Sequence, residues 1–188
     1  IEYTLPFFIS SSIKTTFFNI IPIIRIIFYT FEVKFKTIAR KSFNEKLHDS
    51  KDMPKVIKIE DEKSIKRYGG ENMLLAPPIE YHEIMSKIPE GKVITMVEIR
   101  EYLAKKYNAE FTCPLTAGIF ISLTSKASEE RDDNKIAFWR TLKKDGELNP
   151  KFPGGIEYQK EMLEKEGHTF TVRGRKNLRY FVENYEDK

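Results

Sequence analysis

TMVEIREYLAKKYNAEFTCPLTAGIFISLTSKAS, residues 95–128, is the stretch on which the fold turns. It opens with Thr95-Met96-Val97-Glu98, a capping box in which the threonine hydroxyl accepts from the Glu98 amide and the Glu98 carboxylate reaches back. A helix therefore starts at 96 and presents Met96, Ile99, Leu103 and Tyr107 on one face. Asn108-Ala109-Glu110 makes a short turn, and a second helix opens near Thr112 or Cys113 and runs to about Ser128. Pro114 falls in its first turn, where a missing amide costs least. Two helices joined in this way form a helix-turn-helix candidate, whose second member is the recognition helix. Against that stands the composition of the second helix. Leu115, Ala117, Ile119, Phe120, Ile121 and Leu123 make it apolar over most of its circumference, the signature of a buried core helix. Its only basic side chain before the end is Lys126, and the acidic run Glu129-Glu130-Arg131-Asp132-Asp133 that follows repels phosphates.

Upstream, Ile79 to Ile88 carries apolar residues at 81, 84, 85 and 88, as a helix would, and the turn Pro89-Glu90-Gly91-Lys92 stops it. Gly69-Gly70 and Pro77-Pro78 mark loops on either side of Met73-Leu74-Leu75. Lys55 to Glu60 alternates apolar and polar like a half-buried strand, and residues 39 to 48 read as a short helix. Downstream, Ile136 to Leu142 is expected as a strand, and Lys143 to Leu148 continues into a turn with Asp145-Gly146 at its apex. Pro153-Gly154-Gly155 then leads into the helix IEYQKEMLEKE, ended by Gly167 as its C-terminal cap. The tail HTFTVRGRKNLRYFVENY reads as a β-hairpin around Gly174 to Asn177. Its Arg173, Arg175, Lys176 and Arg179 form the densest basic patch in the chain, either a nucleic-acid contact or a solubilised turn.

The 188 residues suffice for one core plus an extension, and 40 % hydrophobic with 32 % charged residues describes a globular protein. The net charge of +4 permits an acidic partner without arguing for one. One cysteine, Cys113, excludes an intramolecular disulfide and any multi-cysteine zinc site, and fits a reducing compartment. His48, His82 and His168 are scattered without metal-ligand spacing, so no metal is expected. The first 36 residues read differently, with four basic side chains against Glu2 and Glu32, which leaves the body near neutral. Their run FFNIIPIIRIIFYTF, 17–31, contains Pro22 and Arg25 and falls short of the roughly 20 residues a spanning helix needs. It also lacks the basic start and small-residue cleavage site of a secretory signal. An accidental upstream extension or a fragment artefact is the expectation, with a membrane-surface anchor or a packed helix as the competing readings.

Taken in order, IPEGKVIT before the first helix, the helix pair, WRTLKKDGELN, FPGG and MLEKEG resemble the O6-alkylguanine-DNA alkyltransferase family over residues 79–167, about half the chain. The resemblance extends to the alkyltransferase-like proteins that lack the acceptor cysteine. It implies a winged-helix-like domain with a helix-turn-helix core at 79–167; with the strand/loop region read at 39–78, the C-terminal β-hairpin at 168–188, which extends beyond the family domain, and the apolar extension at 1–38 outside it, the expected fold class is α+β. In the family a Pro-Cys-His-Arg motif supplies the thiolate that accepts the alkyl group. The aligned residues here are Ala137, Phe138, Trp139 and Arg140, so the acceptor is missing and tryptophan cannot act as the base. Glu166 matches the glutamate that completes the family's Cys-His-Glu chain, without a histidine to orient. The family's arginine finger aligns on or near Thr116, and its phosphate-rotating tyrosine aligns with Met96.

The resemblance thus implies a DNA-binding protein related to repair of alkylated guanine, recognising double-stranded DNA without alkyl transfer, working with repair proteins in the cytoplasm and needing no cofactor. By that analogy Phe138 and Trp139 line the base pocket, where an aromatic wall offers an extruded base roughly 1–3 kcal/mol of stacking; the other open reading makes them core residues of a strand. Thr116, Lys126, Arg140, Lys143, Lys144 and Lys151 are the candidate DNA contacts. Two alternatives remain at this level: an alkyltransferase using Cys113, and a winged-helix interaction module without DNA binding.

Overall fold

The capping box at Thr95 is made as the residues demand: the Thr95 hydroxyl accepts from the Glu98 amide at 3.2 Å and the Glu98 carboxylate accepts the Thr95 amide at 2.7 Å. Such a cap contributes about 1 kcal/mol to the helix it starts. The computed structural model describes residues 41–187, and the expectations for residues 1–38 lie outside them. In chain order the elements are α1 (Phe43–Leu47), β1 (Lys55–Lys58), α2 (Glu62–Tyr68), β2 (Asn72–Leu75), α3 (Pro78–Met85), β3 (Ile94–Thr95), α4 (Met96–Lys106), β4 (Phe111–Thr112), α5 (Pro114–Glu129), β5 (Thr141–Leu142), α6 (Gly155–Lys165), β6 (Phe170–Arg173) and β7 (Arg179–Val182). Short 3-10 turns cover Phe138–Arg140, Lys144–Gly146 and Tyr185–Asp187. The fold is α+β.

Helices α4 and α5 stand where the capping and proline signals put them, with Cys113 as the N-cap of α5. Their connection is more than a turn. Asn108 adopts a φ of 52°, and Phe111–Thr112 then runs parallel to β2, pairing Met73 with Phe111 and Leu74 with Thr112. The Thr112 hydroxyl ties this strand back to α4 by donating to the Arg100 carbonyl at 2.8 Å. β2 also pairs antiparallel with β1, so the segment before Pro78 and the helix pair after it share one sheet. β3 and β5 pair in parallel, and β6 and β7 form the expected antiparallel hairpin. That hairpin is fastened to the body by the Leu148 amide, which donates to the Tyr180 carbonyl at 2.9 Å. The described residues from Ser42 onward accordingly form one compact unit.

The main core gathers Leu74, Tyr81, Met85, Ile99, Leu103, Ala117, Ile121, Phe138 and Phe152 from β2, α3, α4, α5 and the loops after α5. A second cluster, Val93, Leu142, Leu148, Leu163 and Val182, lies beneath the hairpin, and Trp139 packs against both. Each large side chain fully buried in this way stabilises the fold by about 1.5–3 kcal/mol before entropy is charged.

Three expectations are corrected. Residues 136–142 are a strand only at Thr141–Leu142; Phe138–Arg140 is a 3-10 turn closed by Arg140 N–H to the Ala137 carbonyl and Thr141 N–H to the Phe138 carbonyl. β1 is not half-buried, since Val56 and Ile57 are exposed on the edge of their sheet. Most consequential, α5 is not a core helix all round. It buries Ala117, Ile121, Ser122, Thr124, Ser125, Ala127 and Ser128, while Leu115 and Ile119 remain 73 % and 54 % exposed. Small residues go inward because α1 and α3 pack closely there, and the hydroxyls of Ser125 and Ser128 are used locally: the first donates to the Ser122 carbonyl at 2.9 Å, the second accepts the Ile136 amide at 2.9 Å.

Among the described residues no helix is long and apolar enough to cross a membrane. Among the described residues no group of three or more His, Cys, Asp or Glu side chains stands where it could hold a metal ion.

Candidate nucleic-acid interface

The three side chains of the 3-10 turn at 138–140, singled out in the sequence by their resemblance to the Pro-Cys-His-Arg motif, have distinct fates. Phe138 is fully buried, with its ring 5.5 Å from Phe152, 5.6 Å from Trp139 and 6.0 Å from Tyr158. It is a core residue and presents no face to an extruded base. Trp139 is half-buried, and its indole N–H donates to Glu166 at 2.7 Å. Of the two, Trp139 alone keeps exposed surface.

Glu166, at the C-cap of α6, is the hub of the cluster. Its carboxylate is only 7 % exposed and accepts from Trp139, from Arg140 Nε and Nη2 at 2.9 Å each, and from the Gly91 amide at 3.1 Å. Burial pushes its pKa up, but the bonds from Arg140, Trp139 and Gly91 outweigh that and hold it below the ordinary carboxylate range. An indole N–H is thus among the donors that hold this carboxylate in place. Arg140, expected on phosphate, is 14 % exposed and fully engaged: its Nη1 donates to the Ile88 carbonyl at 2.8 Å while the rest of the guanidinium faces Glu166. The cluster locks the turn to the loop before β3. It contains no thiol or hydroxyl, and its one carboxylate is taken up by four hydrogen-bond donors.

The remaining candidates fall into two places. Lys126 and Lys151 stand at the rim of a groove of about 400 Å³ along α5, floored by Pro114, Leu115, Gly118 and Ile119, and no carboxylate lines it. The Lys126 ammonium lies 5.4 Å from the Phe43 ring centroid. Thr116, one residue past the exposed Leu115, donates its hydroxyl to the Cys113 carbonyl at 3.3 Å. Lys143 and Lys144 sit apart from this groove, on the turn after β5. Lys143 pairs with Glu147 at 2.8 Å, and Lys144 is exposed. Met96, aligned in the sequence with a tyrosine of the family it resembles, is partly buried and packs on the core. Cys113 is half-buried at the start of α5, and among the described residues its thiol makes no hydrogen bond to a histidine.

The acidic run after α5 acts differently from its sequence. Glu130 accepts the amides of Phe43 and Asn44 at 2.9 and 3.0 Å, which caps α1, and those bonds lower its pKa. Glu129 pairs with Lys135 at 3.8 Å. Arg131 bridges Asn44 Oδ1 at 2.7 Å and His82 Nε2 at 3.0 Å. Part of the negative charge is thus spent inside the molecule.

One residue that positions the turn went unread. Gln159 is fully buried; its amide donates to the carbonyls of Trp139 at 2.9 Å and Thr141 at 3.0 Å, and its oxygen accepts the Asn149 amide at 2.7 Å. The signal was present: Gln159 interrupts the apolar stripe of α6 between Ile156 and Leu163, at spacings of three and four.

No known protein family and no curated protein matches the chain. Among solved structures it is similar to S. pombe Atl1 in complex with damaged DNA containing O6-carboxymethylguanine, at 21 % identity and TM-score 0.39, over 58 % of this chain and 90 % of that chain. It is similar also to S. pombe ATL in complex with DNA, at 21 % identity, TM-score 0.40 and the same coverage.

Proposed function

We propose that this protein binds double-stranded DNA through the outward face of α5, in the manner of an alkyltransferase-like protein, recognising alkylated guanine without accepting the alkyl group and leaving its removal to other repair proteins. The observation that carries the reading is the α5 face. The second helix of a helix-turn-helix pair docks on DNA, and here its first three turns lie uncovered among the described residues, with Lys126 and Lys151 at the rim and no carboxylate in the groove. On this reading α4, β4 and α5 are the helix-turn-helix core of a winged-helix domain, and the turn at Lys144–Gly146 is its wing.

Alkyl transfer needs a nucleophile and a base to activate it. Phe138 aligns in sequence with the acceptor cysteine and has no nucleophilic atom, and Trp139 binds Glu166 as a neutral donor. Exposed Leu115 and Ile119 favour a second reading, an interaction module that docks a protein on the same helix.

Gel shifts of the full chain on duplexes with and without O6-methylguanine, at two salt concentrations, decide between the two. Binding that weakens with salt and prefers the modified duplex is expected; no binding at low salt rejects any DNA role. Mass spectrometry of the same mixture tests the chemistry, since an added mass of about 14 Da on Cys113 would reveal methyl transfer.

A further inference from the structure

The β6–β7 hairpin carries VRGRKNLRY at 172–180, with four cations in seven residues and no carboxylate among them. Its register sets Arg173 directly opposite Arg179. Like charges facing each other across two strands destabilise the pair, and the fold offsets this twice. Arg179 donates from Nε to Glu147 at 2.9 Å, and the Arg173 guanidinium lies 4.3 Å from the centroid of the Phe181 ring. Glu147, its side chain only 9 % exposed, also pairs with Lys143, so one carboxylate is shared by two cations and has no charge to spare. Lys144 follows Lys143 on the adjoining turn. At the apex, exposed Arg175 and Lys176 have no ion pair among the described residues. The turn that holds them is built for glycine. Gly174 has a φ of 104°, and a Cβ there would lie 2.3 Å from the Asn177 carbonyl oxygen. The hairpin is tied to the loop before α6 through Leu148 and the bridge between Glu147 and Phe181.

We propose that this hairpin is a second nucleic-acid contact, in which Arg175 and Lys176 bind phosphates of the DNA backbone independently of sequence and of the lesion. The inference rests on the DNA-binding reading above and extends it to a surface beyond α5. Asp145, Glu183 and Glu186 line the hollow beside Arg173, so the charge that complements a polyanion is concentrated at the tip, on Arg175 and Lys176, while Glu147 is neutralised by Lys143 and Arg179. Such contacts position a protein on a duplex without reading bases.

Fluorescence anisotropy of the full chain on an unmodified duplex, over a salt series, tests it. The double variant Arg175→Ala/Lys176→Ala is compared with wild type after thermal melts establish that both fold alike. Two lost phosphate contacts reduce the slope of log affinity against log salt by about 2. Between 50 and 200 mM salt the wild type's affinity then falls about tenfold more than the variant's. The ratio of affinities for modified and unmodified duplex stays the same in both proteins. Wild-type binding with an equal slope in the variant overturns the hairpin contact and leaves the α5 reading standing, whereas absence of wild-type binding at low salt overturns both.

Discussion

Replacing Glu166 with alanine removes the acceptor on which Trp139, Arg140 and the Gly91 amide converge. The Arg140 guanidinium, 14 % exposed, then keeps only its bond to the Ile88 carbonyl and carries an uncompensated charge. Stripping one partner from a buried pair costs about 3–5 kcal/mol. For a domain of this size each kcal/mol lowers Tm by about 3 °C, so Glu166→Ala is expected to melt roughly 9–15 °C below wild type. Circular dichroism melts and urea unfolding at pH 7 measure this, and an unchanged m value shows that the loss is one of stability. Arg140→Met/Glu166→Leu should cost less than the sum of its single variants, because removing both charges leaves neither unpaired. The pH dependence has a fixed sign. The folded carboxyl lies below the ordinary value of 4.5, so its stabilisation is complete above that pH and is lost as pH falls through the depressed value. The gap between wild type and Glu166→Ala therefore narrows below about pH 4.5. A Glu166→Ala protein within about 1 kcal/mol of wild type at pH 7 would refute the reasoning, since the pair would then behave as a solvated surface contact.

Two further outcomes follow from the same structure. The hydrogen bond from Arg179, opposed by burial and reinforced by Lys143, holds the Glu147 carboxyl down at about 2. Its contribution is present above the ordinary 4.5 and is lost toward pH 2, so acid unfolding of Glu147→Gln should be shallower than that of wild type across this window, and parallel curves would contradict the assignment. Gln159→Leu leaves the Trp139 and Thr141 carbonyls and the Asn149 amide without their partner, at about 1–3 kcal/mol for each group that stays buried and unpaired. Urea midpoints measure the loss, and a variant as stable as wild type would mean that these groups find other partners.

Much of the chain was legible as local chemistry. The Thr95–Glu98 box, Pro114 at the start of α5, Gly167 after α6 and the hairpin all depend on residues within a few positions of each other, and each appears where the residues place it. Ile136–Leu142 was misread because β-branched and aromatic side chains suit a strand, yet strand preference yields to what packs against the segment. Here Phe138 meets Phe152 and Tyr158, and Trp139 and Arg140 meet Glu166. The face of α5 was misread for a related reason. Hydropathy favours Leu115 and Ile119 for the interior, but close approach by α1 and α3 selects the small side chains Ala117, Ser122, Ser125 and Ser128 instead. Helix starts, stops and turns are encoded within one or two turns of chain. The candidate site is assembled from Ile88, Arg140 and Glu166, separated by 52 and 26 residues, and no periodic pattern reports which side chains meet across such distances.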